Sequence, residues 1–373
     1  MSLVKVSLDA RPLSTPVSGV GRLISETLLH FPNKDDYHFY LHTHLPIHPS
    51  HKKVLDLPNI TVMQGKGLFS KKGAIYFAFY LPYEIRKLRS DIFWGSQQVA
   101  PIGLSSNIPI VLTFCDLVLY LFPGTMRKLA AIQQKIFQSY SVKNSDFILS
   151  ISNSTRLDLL KKFQYPEYKT GVAFPGVSQK DISIILNNSE KEILPKLPEK
   201  YILSVSTIEP RKNYKFLLSV YQKYREKSGI NKLPWIIVGK IGWETPEFIR
   251  QLKFEIEKYN DIILINSSSD YVLHSIYSKC ELFLFASIYE GFGIPLLEAL
   301  AHKKKCLVSD IPTFHEIGGN EIPFLSTDSI DPWVDKIIEL QNSNTIPSIN
   351  LAKFSWENSA METHNAFQKV LQK

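Results

Sequence analysis

The chain has 373 residues, of which 44% are hydrophobic and 21% charged, with a formal net charge of +8. That length suits two ordinary domains rather than one core, and the composition is that of a globular protein rather than a disordered one. No apolar run approaches the about 18 residues of a membrane-spanning helix, and the positive charge favours anionic partners (nucleotide, phosphate, anionic lipid or nucleic acid) without choosing among them.

The N-terminus, MSLVKVSLDARPL, alternates like a strand and lacks the apolar core of a signal peptide. Strand patterns follow at Leu3–Leu8, Tyr37–His42, Ile60–Met63, Asp91–Trp94, Pro109–Phe114, Phe147–Ile151 and Gly171–Phe174. Helical patterns lie among them at Gly21–Phe31, Ala74–Leu88, Met126–Val142 and Ser154–Phe163. This alternation predicts βαβ units and a parallel sheet. Ser178–Lys200 is polar, charged and proline-containing, and reads as a linker. A second α/β series begins at Tyr201. Its strands are Tyr201–Ser206, Trp235–Val238, Ile262–Ile265, Glu281–Phe285 and Cys306–Ser309, and its helices are Lys215–Arg225, Pro246–Tyr259, Val272–Lys279 and Ile294–His302. The tail FSWENSAMETHNAFQKVLQK predicts a terminal helix capped by Ser355. Two doubly wound domains, 1–178 and 201–353, imply a central cleft, because such sheets bind ligands beyond the carboxyl ends of their strands.

Three stretches have residue types suited to chemistry. In SVSTIEPRKNYKFLL, Arg211 and Lys212 follow a strand and precede a helix, offering a fork of donors and a point charge to a diphosphate. In FASIYEGFGIPLLEAL, Glu290 precedes Gly291-Phe292-Gly293, then Ile294 opens an apolar helix containing Glu298. The glycines permit close backbone approach, and a glutamate among Leu297, Ala299 and Leu300 requires a partner. Two carboxylates at different depths suit the hydroxyls of a sugar nucleotide. In DARPLSTPVSGVGRLISETLL, Gly19 and Gly21 open a helix after a strand, in neither of the two standard glycine-rich phosphate patterns.

Together these segments resemble the group 1, or family 4, glycosyltransferases, in the E-x7-E pair Glu290/Glu298, SVSTIEPRKN, the Gly19–Arg22 loop, SDIPTFHEIGG and the terminal FSWENSA. The resemblance covers nearly the whole chain. It implies a GT-B fold, retention of anomeric configuration and independence of metal ions or cofactors. It also implies that Glu290 meets donor-sugar hydroxyls and Glu298 the ribose. Arg211 and Lys212 would stabilise the leaving diphosphate, Glu290, Arg211 and Lys212 forming the catalytic set. Gly291, Phe292, Gly293 and Ile294 would line the donor site, with Gly19 and Gly21 covering it. The helix in 354–373 would cross back to the first domain. The implied partners are a nucleotide sugar and a glycan or lipid-linked acceptor, with a peripheral membrane surface as a further partner and no nucleic acid. O-antigen or capsule-type synthesis at the inner face of the cell membrane follows from the same resemblance.

Four features depart from the pattern or stand outside it. In VLTFCDLVLYLFP, Cys115 stands before Asp116 where the family commonly has histidine, near the sugar side of the donor; a tolerant position and a 6-deoxy donor sugar both account for it. AHKKKCLVSD reads as a solvated lysine turn, with contact to an anionic acceptor or membrane as the alternative. GKGLFSKKGAIYFAFYLPYEIRKLR mixes bases with aromatics, as either a membrane-facing surface or a core helix with a charged end. His42, His44, His48 and His51 lack metal-ligand spacing, and Cys115, Cys280 and Cys306 form no CxxC, which fits a reducing cytoplasm. A nucleotide-sugar epimerase and a basic polyanion- or membrane-surface-binding protein are the alternatives. The donor base, the acceptor and the oligomeric state are not legible in the sequence.

Overall fold

The computed structural model describes residues 3–16, 18–104, 107–122, 128–177, 196–266 and 269–372. The chain divides into two compact units, one of residues 1–176 with 352–373 and one of residues 177–351. Most of the polar stretch read as a linker, 178–195, lies outside the described residues. Among the described residues no helix is long and apolar enough to cross a membrane.

The first unit holds a seven-stranded parallel sheet: β1 (Val4–Asp9), β2 (Tyr37–Thr43), β3 (Ile60–Gln64), β4 (Ile92–Gly95), β5 (Ile110–Phe114), β6 (Phe147–Ser150) and β7 (Thr170–Val172). Their spatial order is β3-β2-β1-β4-β5-β6-β7, so the winding reverses between β1 and β4. The central strands are buried throughout, as in β4 and β5, because helices cover both faces of the sheet. Two apolar clusters follow, one around Leu8, Phe39 and Trp94, the other around Phe93, Leu112 and Ile148.

The second unit repeats the design with β8 (Ile202–Val205), β9 (Trp235–Val238), β10 (Ile262–Ile265), β11 (Leu282–Phe285), β12 (Lys305–Ser309) and β13 (Phe324–Leu325), in the order β10-β9-β8-β11-β12-β13. Its reversal falls between β8 and β11. The helix Tyr214–Ser228 shows why the chain folds this way locally. Tyr214, Leu217, Leu218, Tyr221 and Tyr224 recur at helical spacing and are all buried, against Trp235 and Trp333. Gly229, at φ 54°, ends the helix.

Several elements differ from the sequence reading. The pattern over Ala74–Leu88 is not one α-helix: a π-helical turn, Tyr76–Tyr80, interrupts it before the α-helix Leu81–Leu88. The helix expected at Met126–Val142 is seen as Lys128–Asn144, with Met126 outside the described residues. The helices Pro312–Gly318 and Asp331–Asn342 were not anticipated. The lysine run is not a solvated turn at its end. Lys305 opens β12, and its buried ammonium donates to Glu281 (2.5 Å) and to the carbonyls of Leu340 and Ser343 (2.9 Å each). Three acceptors satisfy the donors of an ammonium that burial removes from water.

The C-terminal helix Trp356–Leu371 packs within the first unit. Ser355 caps it, its hydroxyl accepting from the Asn358 N–H at 3.1 Å. Ala360, Thr363, Ala366, Phe367 and Val370 form its buried face, and the Phe367 ring lies 5.8 Å from Trp94 and 5.7 Å from Phe31. The turn into this helix depends on Gly176, where a Cβ would lie 2.3 Å from the Trp356 nitrogen. Neither backbone segment can yield cheaply. Gly176→Ala is therefore expected to destabilise the first unit by roughly 1–3 kcal/mol, read as a lower urea midpoint. An unchanged midpoint would show that this contact is not tight.

Candidate active site

The site residues of the second unit converge at the reversal of its sheet, on the loops that leave β8 and β11. Adjacent strands whose connections run to opposite faces leave a crevice at their carboxyl ends. After β8, Glu209 leads a one-turn 3-10 helix, Pro210–Lys212, and Asn213, at φ 58°, turns the chain into the helix Tyr214–Ser228. After β11, the loop from Ala286 reaches Gly293 and the helix Ile294–Ala301. Gly293 sits at φ 119°, and a Cβ there would meet the Phe314 ring at 2.9 Å, so glycine is required on both counts. The two loops are joined along their backbones, the Ile288 N–H donating to the Arg211 carbonyl at 3.0 Å.

Glu290 is the centre of this arrangement. Its side chain is only 8% exposed. Lys212 donates to Oε1 at 2.5 Å, the Ser287 hydroxyl donates to the same oxygen at 2.6 Å, and Arg211 donates to Oε2 at 2.8 Å. The Thr313 hydroxyl donates to the Glu290 carbonyl at 2.9 Å, bringing the helix Pro312–Gly318 into the network. Arg211 in turn donates to the Tyr289 carbonyl (2.8 Å) and to Glu209 (2.7 Å), which is itself buried. The Lys212 ammonium also lies 5.1 Å from the centre of the Phe285 ring.

The electrostatics follow from burial opposed by pairing. Burial alone would raise the Glu290 carboxyl, but Lys212 and Arg211 beside it hold it below its ordinary value. Burial pulls Lys212 below its ordinary value, against the opposing pull of Glu290. Formally, two cations, Arg211 and Lys212, face two carboxylates, Glu209 and Glu290. The cluster can hold its charges in place while nearly neutral as a whole.

Glu298 is the fifth residue of its helix and is buried, which removes the reading of a solvated charge. The Tyr277 hydroxyl is its hydrogen-bonding neighbour and also donates to the Pro295 carbonyl at 3.2 Å. At the end of the same helix, His302 stacks on the Tyr277 ring and meets His274 at 3.0 Å. Burial, with His274 and Lys304 nearby, lowers His302 to about 4, so His302 is neutral at neutral pH.

The other residues named from the sequence fall as follows. Gly291 and Phe292 are buried, and Ile294 is half-buried. Gly19 and Gly21 lie in the first unit at the start of the helix Gly19–Leu29. Ser18 caps that helix through the Gly21 N–H at 3.2 Å, and Gly21 lacks a Cβ where the His51 ring passes 3.2 Å away. Cys115 follows β5, its thiol pushed up to about 12 by burial and then by Asp116, so it is protonated at neutral pH. Asp116 accepts from the Val118 N–H at 3.1 Å. Among the described residues no group of three or more His, Cys, Asp or Glu side chains is placed to hold a metal ion. Ser287, Thr313 and Tyr277 were not singled out in the sequence. Ser287 alone had a local cue, a hydroxyl three residues before Glu290 in a loop.

Residues 187–353 match the family model described as glycosyl transferases group 1. The chain is 26% identical over 299 residues to O-antigen chain mannosyltransferase B of Escherichia coli, covering 77% of this chain and 76% of that one. A shorter stretch of 163 residues is 31% identical to serotype-specific mannosyltransferase WbdA of Escherichia coli, covering 42% of this chain and 20% of that one. Among solved structures, a glycosyltransferase from Rickettsia africae aligns over 100% of both chains with a TM-score of 0.68 and 18% identity. Anabaena Alr3699/HepE, solved with UDP and glucose, aligns over 99% of this chain and 98% of that one, with a TM-score of 0.62 and 13% identity. The matched segment, a little under half of the chain, holds the whole Arg211–Lys212–Glu290–Glu298 site and is similar to the group 1 glycosyltransferases, and the fold is GT-B.

Proposed function

We propose that the chain transfers a hexose from a nucleoside diphosphate sugar to a glycan or lipid-linked acceptor, retaining anomeric configuration and using no metal ion, in synthesis of an O-antigen or capsule-type polysaccharide. The observation that carries this reading is the Arg211–Lys212–Glu290 cluster at the sheet reversal of the second unit. Two similar proteins support its parts. The relative from Escherichia coli is named an O-antigen chain mannosyltransferase, and the Anabaena protein was solved with UDP and glucose.

The chemistry divides between the two glutamates and the two cations. Breaking the bond between the sugar and the diphosphate leaves negative charge on the departing oxygen. Arg211 and Lys212 are already oriented and largely desolvated, so they stabilise that charge without reorganising. Two cations there supply the electrostatic role that a metal ion would otherwise fill. Three hydrogen bonds from Lys212, Ser287 and Arg211 use three of the roughly four acceptor positions of the Glu290 carboxylate, leaving capacity for one sugar hydroxyl. Glu298 lies about 6 Å along the helix axis from Ile294, placing its carboxylate deeper, for the ribose. The acceptor hydroxyl attacks the face from which the diphosphate departs, and the departing phosphate oxygen takes its proton. No separate side-chain nucleophile is needed for retention.

Melting curves with UDP, GDP, ADP and dTDP test the donor half of this reading. A nucleotide at about 100 times its Kd adds about 2.7 kcal/mol, and one of the four is expected to do so selectively. A panel that leaves the melting temperature unmoved would overturn the donor assignment. Glu290→Gln should cost roughly 3–5 kcal/mol of stability, because buried Lys212 loses its paired carboxylate and Arg211 keeps only Glu209. The same variant should gain more from the stabilising nucleotide than the wild type does, since the diphosphate returns negative charge, while its turnover falls. A variant as stable as the wild type would remove Glu290 from its central place. Finally, a bound diphosphate raises Lys212 from its lowered value. Nucleotide affinity should therefore be full where Lys212 is protonated before binding and fall as pH rises through the Lys212 pKa of the free protein. Lys212→Arg should abolish that fall in calorimetric titrations, and a pH-independent wild-type affinity would contradict the coupling.

A further inference from the structure

The first unit contains a cavity of about 490 Å³ that none of the proposed donor chemistry uses. It lies by the reversal of the first sheet. Arg11 follows the end of β1 and Gln97 follows the end of β4, and both line it. Its size is that of a small-molecule site, and a sheet reversal is where such sites form.

The lining is mostly apolar. Phe77, Ala78 and Phe79 come from the π-helical turn, Ala74 precedes it, and Phe137 faces it from the helix Lys128–Asn144. Phe79 is 68% exposed, and Tyr83, one turn further on, is 55% exposed. Tyr76, Leu81 and Ile85 of the same segment are fully buried, so this stretch is both a core helix on one face and an open aromatic surface on the other. A π-type turn is an uncommon departure from helical geometry and recurs at functional sites. Here it is the element that presents three consecutive residues to the cavity.

The polar part is confined to Arg11, Gln97 and Gln134. Arg11 is not available as a lone cation. Its Nε and a terminal nitrogen each donate to Asp9 at 2.8 Å, and its guanidinium lies 4.1 Å from the centre of the Phe77 ring. Gln97 donates to the same Asp9 carboxylate at 3.3 Å. The polar end therefore carries no net charge and suits hydroxyl groups rather than a phosphate. Apolar walls with a neutral polar end describe an amphiphile.

We propose that this cavity binds the hydrocarbon chain of an amphiphilic acceptor, with the chain against Ala74, Phe77, Ala78, Phe79 and Phe137 and the adjoining hydroxyl-bearing unit at Gln97 and Gln134. This deepens the acceptor side of the proposed function and rests on that reading for the identity of the hydroxyl-bearing unit. It does not depend on which nucleotide occupies the second unit.

The test compares n-octyl and methyl α-D-mannopyranoside, the former below its micelle-forming concentration, by saturation-transfer NMR and titration calorimetry. The octyl compound should bind at least about tenfold tighter to the wild type, because seven additional CH₂ groups leave water. Ala78→Trp fills the cavity from a half-buried position and should remove that preference. Ala74→Trp, from an exposed position, should do the same with less risk to folding. Both variants should keep the nucleotide-induced melting shift of the wild type. Equal binding of the two mannosides, or an octyl preference that survives both substitutions, would overturn the proposal. A chain preference in a protein that no nucleotide stabilises would instead overturn the donor reading and leave the cavity assignment standing.

Discussion

The carboxylate of Glu290 holds the second unit's site together. Without it, the loops after β8 and β11 would bring Arg211 and Lys212 into a buried space with like charge and no partner beyond Glu209. With it, one side chain binds both cations, Ser287 orients one oxygen, and Thr313 secures the backbone from a third element. Burying charge is costly unless every charged group is paired and hydrogen-bonded, so these groups stand or fall together. Glu290 is thus first a structural counter-ion and only then a ligand-binding group. A transition-state charge arriving near Arg211 and Lys212 meets dipoles and cations that are already fixed.

That constraint explains what could be read from the sequence. The strands were legible because parallel sheets covered on both faces require near-continuous apolar runs, as in ELFLF and WIIV. The Arg-Lys pair and the two glutamates were legible as residue types that an apolar setting does not tolerate alone. Their mutual pairing was not. The sequence reading gave Arg211 and Lys212 to a diphosphate and Glu290 to a sugar. The structure shows that these side chains also bind one another, across 78 and 79 positions of chain. No local pattern encodes a contact over that separation.

The misses have similar causes. Lys305 looked solvated beside His302, Lys303 and Lys304, because composition reports local polarity and not the three acceptors that Glu281, Leu340 and Ser343 bring from elsewhere. The segment Ala74–Leu88 carries a helical apolar period, and that period hides the π-turn, which inserts its extra residue without breaking the run of aromatics. The short helix Pro312–Gly318 has too few residues to show a period at all. Its importance lies in a single hydroxyl, Thr313, that meets Glu290.

The seven-residue gap between the two glutamates has a structural meaning that neither a loop nor a helix alone would give. Glu290 belongs to the loop, and its carboxylate is spent largely on the cations. Gly293, in a left-handed conformation against Phe314, then redirects the chain. From Ile294 onward the backbone is helical, and little more than one turn brings Glu298 to the Tyr277 hydroxyl. Were all nine residues helical, the glutamates would lie about two turns apart on nearly one face, and Glu290 could not also reach back to Arg211 and Lys212. Were the loop to continue, Glu298 would lack the rigid frame that lets a buried carboxylate keep its hydroxyl partner. The spacing therefore measures one loop segment plus one helical turn, joined at the glycine. It separates a carboxylate that organises cations from one held by a neutral hydroxyl. Two acidic side chains of the same type thus acquire different electrostatic surroundings, and the first is held ionised by its neighbours.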